Sequence, residues 1–217
     1  MKGFIFDLDG VIVDTAKYHF LAWKKLATQI GVGFTIEDNE RLKGVSRARS
    51  LDIILELGDI TATDEQKQQW MTQKNEEYLG YVSRMGTEEV LPGVLPALHF
   101  LRENGGKIAL GSASKNARLI LEKTGIMPLF DAVVDGNDVS AAKPDPEVFV
   151  LAAAQIGVPQ GDCTVFEDSV AGIEAANSAG MVSVGIGEAE TLKDADHVFP
   201  GFAAVAPETL LSLSVKH

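Results

Sequence analysis

A single cysteine, Cys163, in 217 residues excludes an intrachain disulfide and any zinc site built from several thiolates. A reducing compartment is the simpler reading, so a cytoplasmic location is expected. Long hydrophobic runs are missing too. No stretch approaches the roughly 18 continuous apolar residues of a membrane span, and no membrane association is expected. The apolar start from Gly3 to Val13 is interrupted by two carboxylates and is followed by no small-residue cleavage site, which argues against a signal segment. Basic residues are scarce, with 19 Lys and Arg against 31 Asp and Glu and a formal net charge of −12. Such a surface repels a phosphate backbone, so nucleic acid is excluded as a sequence-independent partner. A small phosphorylated ligand stays compatible, because it feels the local field of a pocket and a few lysines suffice there. What is present is ordinary for a folded chain: 46% hydrophobic and 23% charged residues, with no internal repeat or low-complexity tract. The length allows one full core with a smaller domain beside it.

Gly3-Phe4-Ile5-Phe6 is a short apolar run ending at Asp7, as expected of a strand buried on both faces. From Ala16, apolar groups recur at Phe20, Trp23, Ala27 and Ile30, which predicts a helix ending near Gly31 with Asp14 or Thr15 as its cap. Thr35 and Asp38 form a capping-box pattern, Leu51 to Leu55 runs up to a stop at Gly58, and Thr63-Asp64-Glu65-Gln66 is another helix start. With no strand pattern between them, residues 14–87 are expected to form an inserted helical domain, leaving 1–13 and 88–217 as the core. The rhythm then changes to strand and helix in alternation, with strands expected at Ile108–Leu110, Ala132–Val134, Thr164–Phe166 and Val182–Val184. Gly125, Gly157 and Gly180 fall at predicted helix ends. The pattern predicts an α/β core with a Rossmann-like parallel sheet covered by helices on both sides.

In such sheets ligands bind beyond the carboxyl ends of the strands. Asp7 and Asp9 follow the first expected strand, Ser112 the second, Lys143 the third after a loop, and Glu167-Asp168 the fourth. One carboxylate of the Asp7/Asp9 pair can attack while the other moves a proton. A carboxylate nucleophile needs an electrophile whose charge is masked, which magnesium on oxygen ligands supplies, and Glu167 and Asp168 suit that task. Ser112 and the backbone N–H of Ala113 near a helix start can bind phosphate oxygens, which Lys143 can neutralise. Taken singly, each feature has a plainer reading: Asp-Leu-Asp-Gly is a polar turn, Glu167-Asp168 a solvated helix start, Ser112 a helix cap and Lys143 an exposed lysine before Pro144. Their order along the chain favours the common site.

Asp7-Leu8-Asp9-Gly10-Val11, Ser112, Lys143-Pro144 and Glu167-Asp168 together resemble the four motifs of the haloacid dehalogenase superfamily. The resemblance implies a Rossmann-like core with an all-helical cap, Asp7 as nucleophile and Asp9 as general acid and base. It also implies magnesium on the Asp7 side chain, the Asp9 backbone carbonyl, Glu167 and Asp168. Within the superfamily the cap is similar to that of the β-phosphoglucomutase branch, through Tyr18-His19-Phe20-Leu21-Ala22-Trp23, Leu42-Lys43-Gly44-Val45-Ser46-Arg47 and Lys74-Asn75. Ser112-Ala113-Ser114-Lys115-Asn116 fits the same branch. On that resemblance Thr15, His19 and Lys43 would couple cap closure to Asp9, Arg47 would grip the unreacting phosphate, and Trp23, Lys43, Gly44, Val45, Lys74, Ser114, Lys115 and Asn116 would contact the sugar phosphate. Glucose 1,6-bisphosphate would serve as primer and intermediate, with hinges near Asp14 and Thr87 and a monomer expected. The sequence departs from the pattern at Gly111 and Val170, where alanine and glutamine are expected. A sugar-phosphate phosphatase and a non-catalytic metabolite-binding domain stay open as alternatives, and His19 with Trp23 also reads as helix packing.

Overall fold

The structure, a computed structural model, describes residues 1–42 and 46–213. The expected ligand contacts at Lys43, Gly44 and Val45 therefore lie outside the described residues. The chain forms two compact units, one of Met1–Asp14 with Met85–His217 and the other of Thr15–Arg84.

The second unit is helical, with α1 (Ala16–Gln29), α2 (Ile36–Glu40), α3 (Arg47–Leu57) and α4 (Asp64–Val82). Helix α1 turns Trp23, Leu26 and Ala27 inward at three- and four-residue spacing, where they meet Val32, Phe34, Leu51, Ile53, Ile54 and Leu55 in one apolar cluster. The expected capping box forms, with Thr35 and Asp38 bonding reciprocally at α2, and the helix start expected at Thr63 is closed by a second box with Gln66 at α4. Helix α3 stops at Gly58, as its pattern predicts. The first cap is different. Thr15 holds the N-cap position of α1 but lies in the helical region (φ −95°, ψ −3°) and makes no side-chain cap bond. A capping hydroxyl reaches the second or third amide from an extended backbone, which Thr15 does not have.

The first unit is an α/β core of six parallel strands: β1 (Gly3–Phe6), β2 (Lys107–Gly111), β3 (Ala132–Val134), β4 (Cys163–Glu167), β5 (Val182–Ile186) and β6 (His197–Phe199). Their order is β3-β2-β1-β4-β5-β6, that of the doubly wound dinucleotide-binding fold, so the chain reverses direction across the sheet between β1 and β4. Helices α5 (Val94–Glu103), α6 (Ala117–Lys123), α7 (Glu147–Ile156), α8 (Val170–Ser178) and the short α9 (Pro207–Leu210) complete it. One face of the sheet packs Ile5, Ala109 and Val165 against Val148, Phe149 and Ala152 of α7 and Ala175 and Ala176 of α8. On the other face the Phe6 and Phe166 rings stack at 4.6 Å and lean on Phe202. Gly125, Gly157 and Gly180 all take positive φ where helices end. The sequence pattern did not predict β6, three residues long and half-buried throughout, which lacks the apolar run that reveals the inner strands.

Candidate active site

The carboxyl edge of the core sheet gathers the motif residues around one ammonium group. Asp7 is the first residue past β1, and its amide still donates to the Phe166 carbonyl of β4 (2.9 Å), so its side chain emerges beside the reversal point. Glu167 ends β4 and is buried. Lys143 reaches them from the loop after β3, which contains a cis Lys143–Pro144 bond. Its Nζ donates to Asp7 Oδ1 (2.6 Å), Glu167 Oε1 (2.7 Å) and the Gly111 carbonyl (3.1 Å). The Lys143 loop is held by Glu147, whose carboxylate accepts from the Ser140 and Ala141 amides and the Ser140 hydroxyl.

Burial pushes the Asp7 carboxyl well above the usual carboxylate range, Lys143 pulls it down, and Glu167, Asp168 and Asp9 push it up again. Burial works against the Lys143 charge as well, but the two carboxylates it touches outweigh this and raise its pKa. The ammonium therefore stays charged between Asp7 and Glu167, and the charges of Asp9 and Asp168 also reach Asp7. That excess of negative oxygen suits a hard divalent cation. Two glycines shape the donor set. Gly10 (φ +78°) lies so close to the Asp168 carboxylate that a methyl group there would collide with it, and a methyl at Gly172 would collide with Glu167. Ser169 donates its amide (2.7 Å) and hydroxyl (2.9 Å) to Glu167 Oε2, leaving that group oriented from both ends. Among the described residues no three His, Cys, Asp or Glu side chains already form a metal cage; Lys143 bridges the two buried carboxylates. The donor chemistry fits magnesium, with Asp7, Asp9, Glu167 and Asp168 as the residues that would hold it.

Ser112 is buried at the end of β2, and its Oγ accepts from the Ser114 amide (3.1 Å), while Ser114 Oγ accepts from the Asn116 amide (3.3 Å). Helix α6 begins only at Ala117, so Ala113 lies in a hydroxyl-closed turn and not at a helix start, and Ser112 is not its cap. Side chains at Ala113 and Lys115 are exposed. The departure at Gly111 has a steric reason: a Cβ there would sit 2.9 Å from the Phe149 ring, which itself lies 4.6 Å beneath the Lys143 ammonium. Val170, the other departure, opens α8 and is 51% exposed.

In the helical unit, Lys74 is buried, and its ammonium lies 2.8 Å from His19 Nδ1 and 4.9 Å from the centroids of both Trp23 and Tyr78. An ammonium only donates, so Nδ1 accepts and the neutral ring carries its proton on Nε2. Burial, then the charges of Lys74 and Arg47, lower the His19 pKa to about 3. Its ring stacks on Tyr78 at 4.2 Å. Arg47, the first residue of α3, is exposed and donates to Asn75 Oδ1 (2.8 Å). Trp23, expected to touch the sugar, is only 3% exposed and packs in the apolar cluster of its own unit, because a large ring on the inner stripe of α1 gains more from burial. Lys74 likewise faces inward. Thr15 is buried, and its carbonyl accepts from the Tyr18 and His19 amides.

Residues 1–180 match the haloacid dehalogenase-like hydrolase family. The chain belongs to that family. It is 46% identical over 200 residues to the β-phosphoglucomutase of Bacillus subtilis (strain 168), covering 91% of this chain and 88% of that one. It is 31% identical over 217 residues to a phosphorylated carbohydrates phosphatase of Thermotoga maritima, covering 98% of both. A crystal structure of β-phosphoglucomutase from Clostridium difficile superposes with a TM-score of 0.89 at 41% identity, covering 98% of this chain and 96% of that one. This haloacid dehalogenase-family core presents Asp7 and Ser112 just past strand ends and Glu167 at one. Sequence reasoning missed Ser169, Glu147 and Phe149, which hold the acid, the loop and the lysine. Of these only Ser169 left a signal: a serine three residues before Gly172 at a helix start is an N-cap pattern, and its hydroxyl does accept from that amide.

Proposed function

We propose that the chain catalyses the β-phosphoglucomutase reaction, interconverting β-D-glucose 1-phosphate and glucose 6-phosphate through an aspartyl-phosphate at Asp7 and bound β-glucose 1,6-bisphosphate. The observation that carries this reading is the 46% identity to a β-phosphoglucomutase over nearly the whole chain, coupled to an Asp7 that is buried and paired with Lys143. Lys143 occupies Oδ1, so Oδ2 is the oxygen assigned to attack phosphorus. The P–O bond to the sugar breaks as the Asp7–phosphorus bond forms, and Asp9 gives the departing sugar oxygen its proton. In the return transfer Asp9 takes the proton from the accepting hydroxyl, and the phosphoryl group leaves Asp7. Magnesium on Asp7, Asp9, Glu167 and Asp168 would supply neutralising charge for the phosphoryl oxygens. Ser112 and Lys143 hold those oxygens, and Arg47 grips the other phosphate as a bidentate cation. His19, locked with its proton on Nε2, serves as a donor only.

Incubation with β-glucose 1-phosphate, magnesium and a trace of bisphosphate should yield glucose 6-phosphate, and Asp7→Asn should lower that rate by at least about 10⁴-fold. Absence of product from the unaltered protein overturns the reading. The identity to the Thermotoga maritima phosphatase supports a second one, in which water takes the phosphoryl group from Asp7. Arg47→Ala separates them, since it should cripple a mutase handling two phosphates and spare hydrolysis of a small monophosphate.

A further inference from the structure

We propose that Asn137 is a positioning residue that clamps the sugar-phosphate loop Ser112–Asn116 from behind. Asn137 follows β3 and is exposed, yet both protons of its carboxamide nitrogen are engaged, one by the Lys115 carbonyl (3.0 Å) and one by Asp135 Oδ1 (2.9 Å). Asp135 is 1% exposed and fixes the clamp from beneath, accepting also from the Asn137 amide (2.8 Å) and forming an ion pair with Arg118 Nε (3.1 Å). Arg118 continues from α6 to Asp138 Oδ2 (2.8 Å) and the Val133 carbonyl (2.7 Å), tying helix, strand end and loop together. Next to the clamp, the Gly136 amide donates to the Ser114 carbonyl (3.3 Å). The Ala113 carbonyl approaches Gly136 so closely that a side chain there would collide with it.

Three successive carbonyls, of residues 113, 114 and 115, thus face the loop after β3. In a trans peptide the following N–H points the opposite way, so the amides of Ser114, Lys115 and Asn116 are turned away from the clamp. Holding the carbonyl side therefore fixes the direction of the amide side, and with it the side chains that Ser114, Lys115 and Asn116 present. A loop ordered before the ligand arrives loses less entropy on binding, and binding strengthens accordingly. This inference rests on the proposed role of residues 114–116 in holding a sugar phosphate.

Two measurements test it, on the unaltered protein, Asn137→Ala and Asn137→Asp. Alanine at an exposed site leaves no cavity, and aspartate keeps the shape while removing both donors. Without substrate, amide exchange at Ser114, Lys115 and Asn116 should quicken at least about fivefold in both variants, the loss expected for one net hydrogen bond. With substrate, KM for β-glucose 1-phosphate should rise about five- to tenfold while phosphorylation of Asp7 by a small aryl phosphate keeps its rate. Unchanged exchange, unchanged KM in an active enzyme, or wild-type behaviour of Asn137→Asp each overturns the clamp. If the unaltered protein has no mutase turnover, the functional reading falls, and the exchange comparison alone decides on Asn137.

Discussion

Two lysines, Lys74 buried and Lys143 half-buried, sit in opposite surroundings. In the core unit the Lys143 ammonium lies between Asp7 and Glu167, whose side chains are 9% and 1% exposed, and its positive charge is spent on carboxylates. In the helical unit the Lys74 ammonium donates to a neutral imidazole and lies over two aromatic faces, so its charge is spent on forbidding a second one. The first cation pulls down the pKa of the acid it touches. The second keeps a base from acting as one. Both are lysines on apolar floors, Phe149 under one and Trp23 and Tyr78 under the other, and the acceptor nitrogen or oxygen alone sets the difference.

The strongest way to break this contrast is to remove Lys143. Lys143→Met leaves two buried carboxylates without their shared cation and should destabilise the core by about 3–5 kcal/mol. Lys143 is the influence that lowers the Asp7 pKa, so losing it drives that pKa higher still. A carboxyl whose folded pKa lies above its unfolded value stabilises the fold below the unfolded value and loses that contribution as pH rises through the folded one. The deficit should therefore grow from acid to neutral pH, and magnesium should narrow it at the neutral end by replacing part of the lost positive charge. Thermal melts across pH, with and without the ion, measure both trends; a deficit that is flat with pH would contradict the charge assignment.

The helical unit has the reverse dependence. His19 has its folded pKa lowered to about 3, against an ordinary value of 6.5, so its contribution is complete above 6.5 and is lost as pH falls towards 3. The slope is at most about 1.4 kcal/mol per pH unit, tempered because the ring stays partly exposed. Lys74→Met removes one of the two charges opposing the imidazolium, and its acid slope should be shallower than that of the unaltered protein. Ring-proton NMR of His19 reports the pKa directly, and an unmoved titration would show that burial acts alone.

These two sites differ in how much of them the sequence discloses. Strand ends marked by Asp7, Ser112 and Glu167 are readable because a buried parallel strand is an apolar run and its terminus is the next polar residue. Helices with capping boxes at Thr35 and Thr63 are readable for a similar local reason. Nothing local says that Lys74 turns inward onto His19, 55 positions away, or that Trp23 serves its own unit's core. Those placements are decided by packing between helices. The bond that makes Asn137 a clamp also joins positions 22 apart, and no spacing rule reaches across it. Gly111 falls between the two cases: its departure from the family pattern is visible in sequence, and its cause, the Phe149 ring, is visible only in the fold. Gly111→Ala should cost about 1–2 kcal/mol by forcing that ring aside. Because the ring is the floor under Lys143, the substitution should also slow phosphorylation of Asp7; unchanged melting and turnover would show that the floor yields freely.

The smallest effect tests whether the environment of Lys74 belongs to its helix or to its packing. Thr63 caps α4 by accepting from the Gln66 amide, and Gln66 returns a bond to the Thr63 amide. Thr63→Ala removes the first of these and should cost about 1 kcal/mol, seen as faster exchange of the amides in the first turn of α4. Lys74 stands about three turns further on, and end effects fade within the first turn. If contacts with Trp23, Tyr78 and His19 set its position, the substitution leaves the His19 titration where it was. A His19 pKa that climbs in Thr63→Ala would mean instead that α4 responds as one rigid piece, with the helix start and the buried cation coupled, and the contrast between the two lysines would then be a property of the whole helix and not of one acceptor atom.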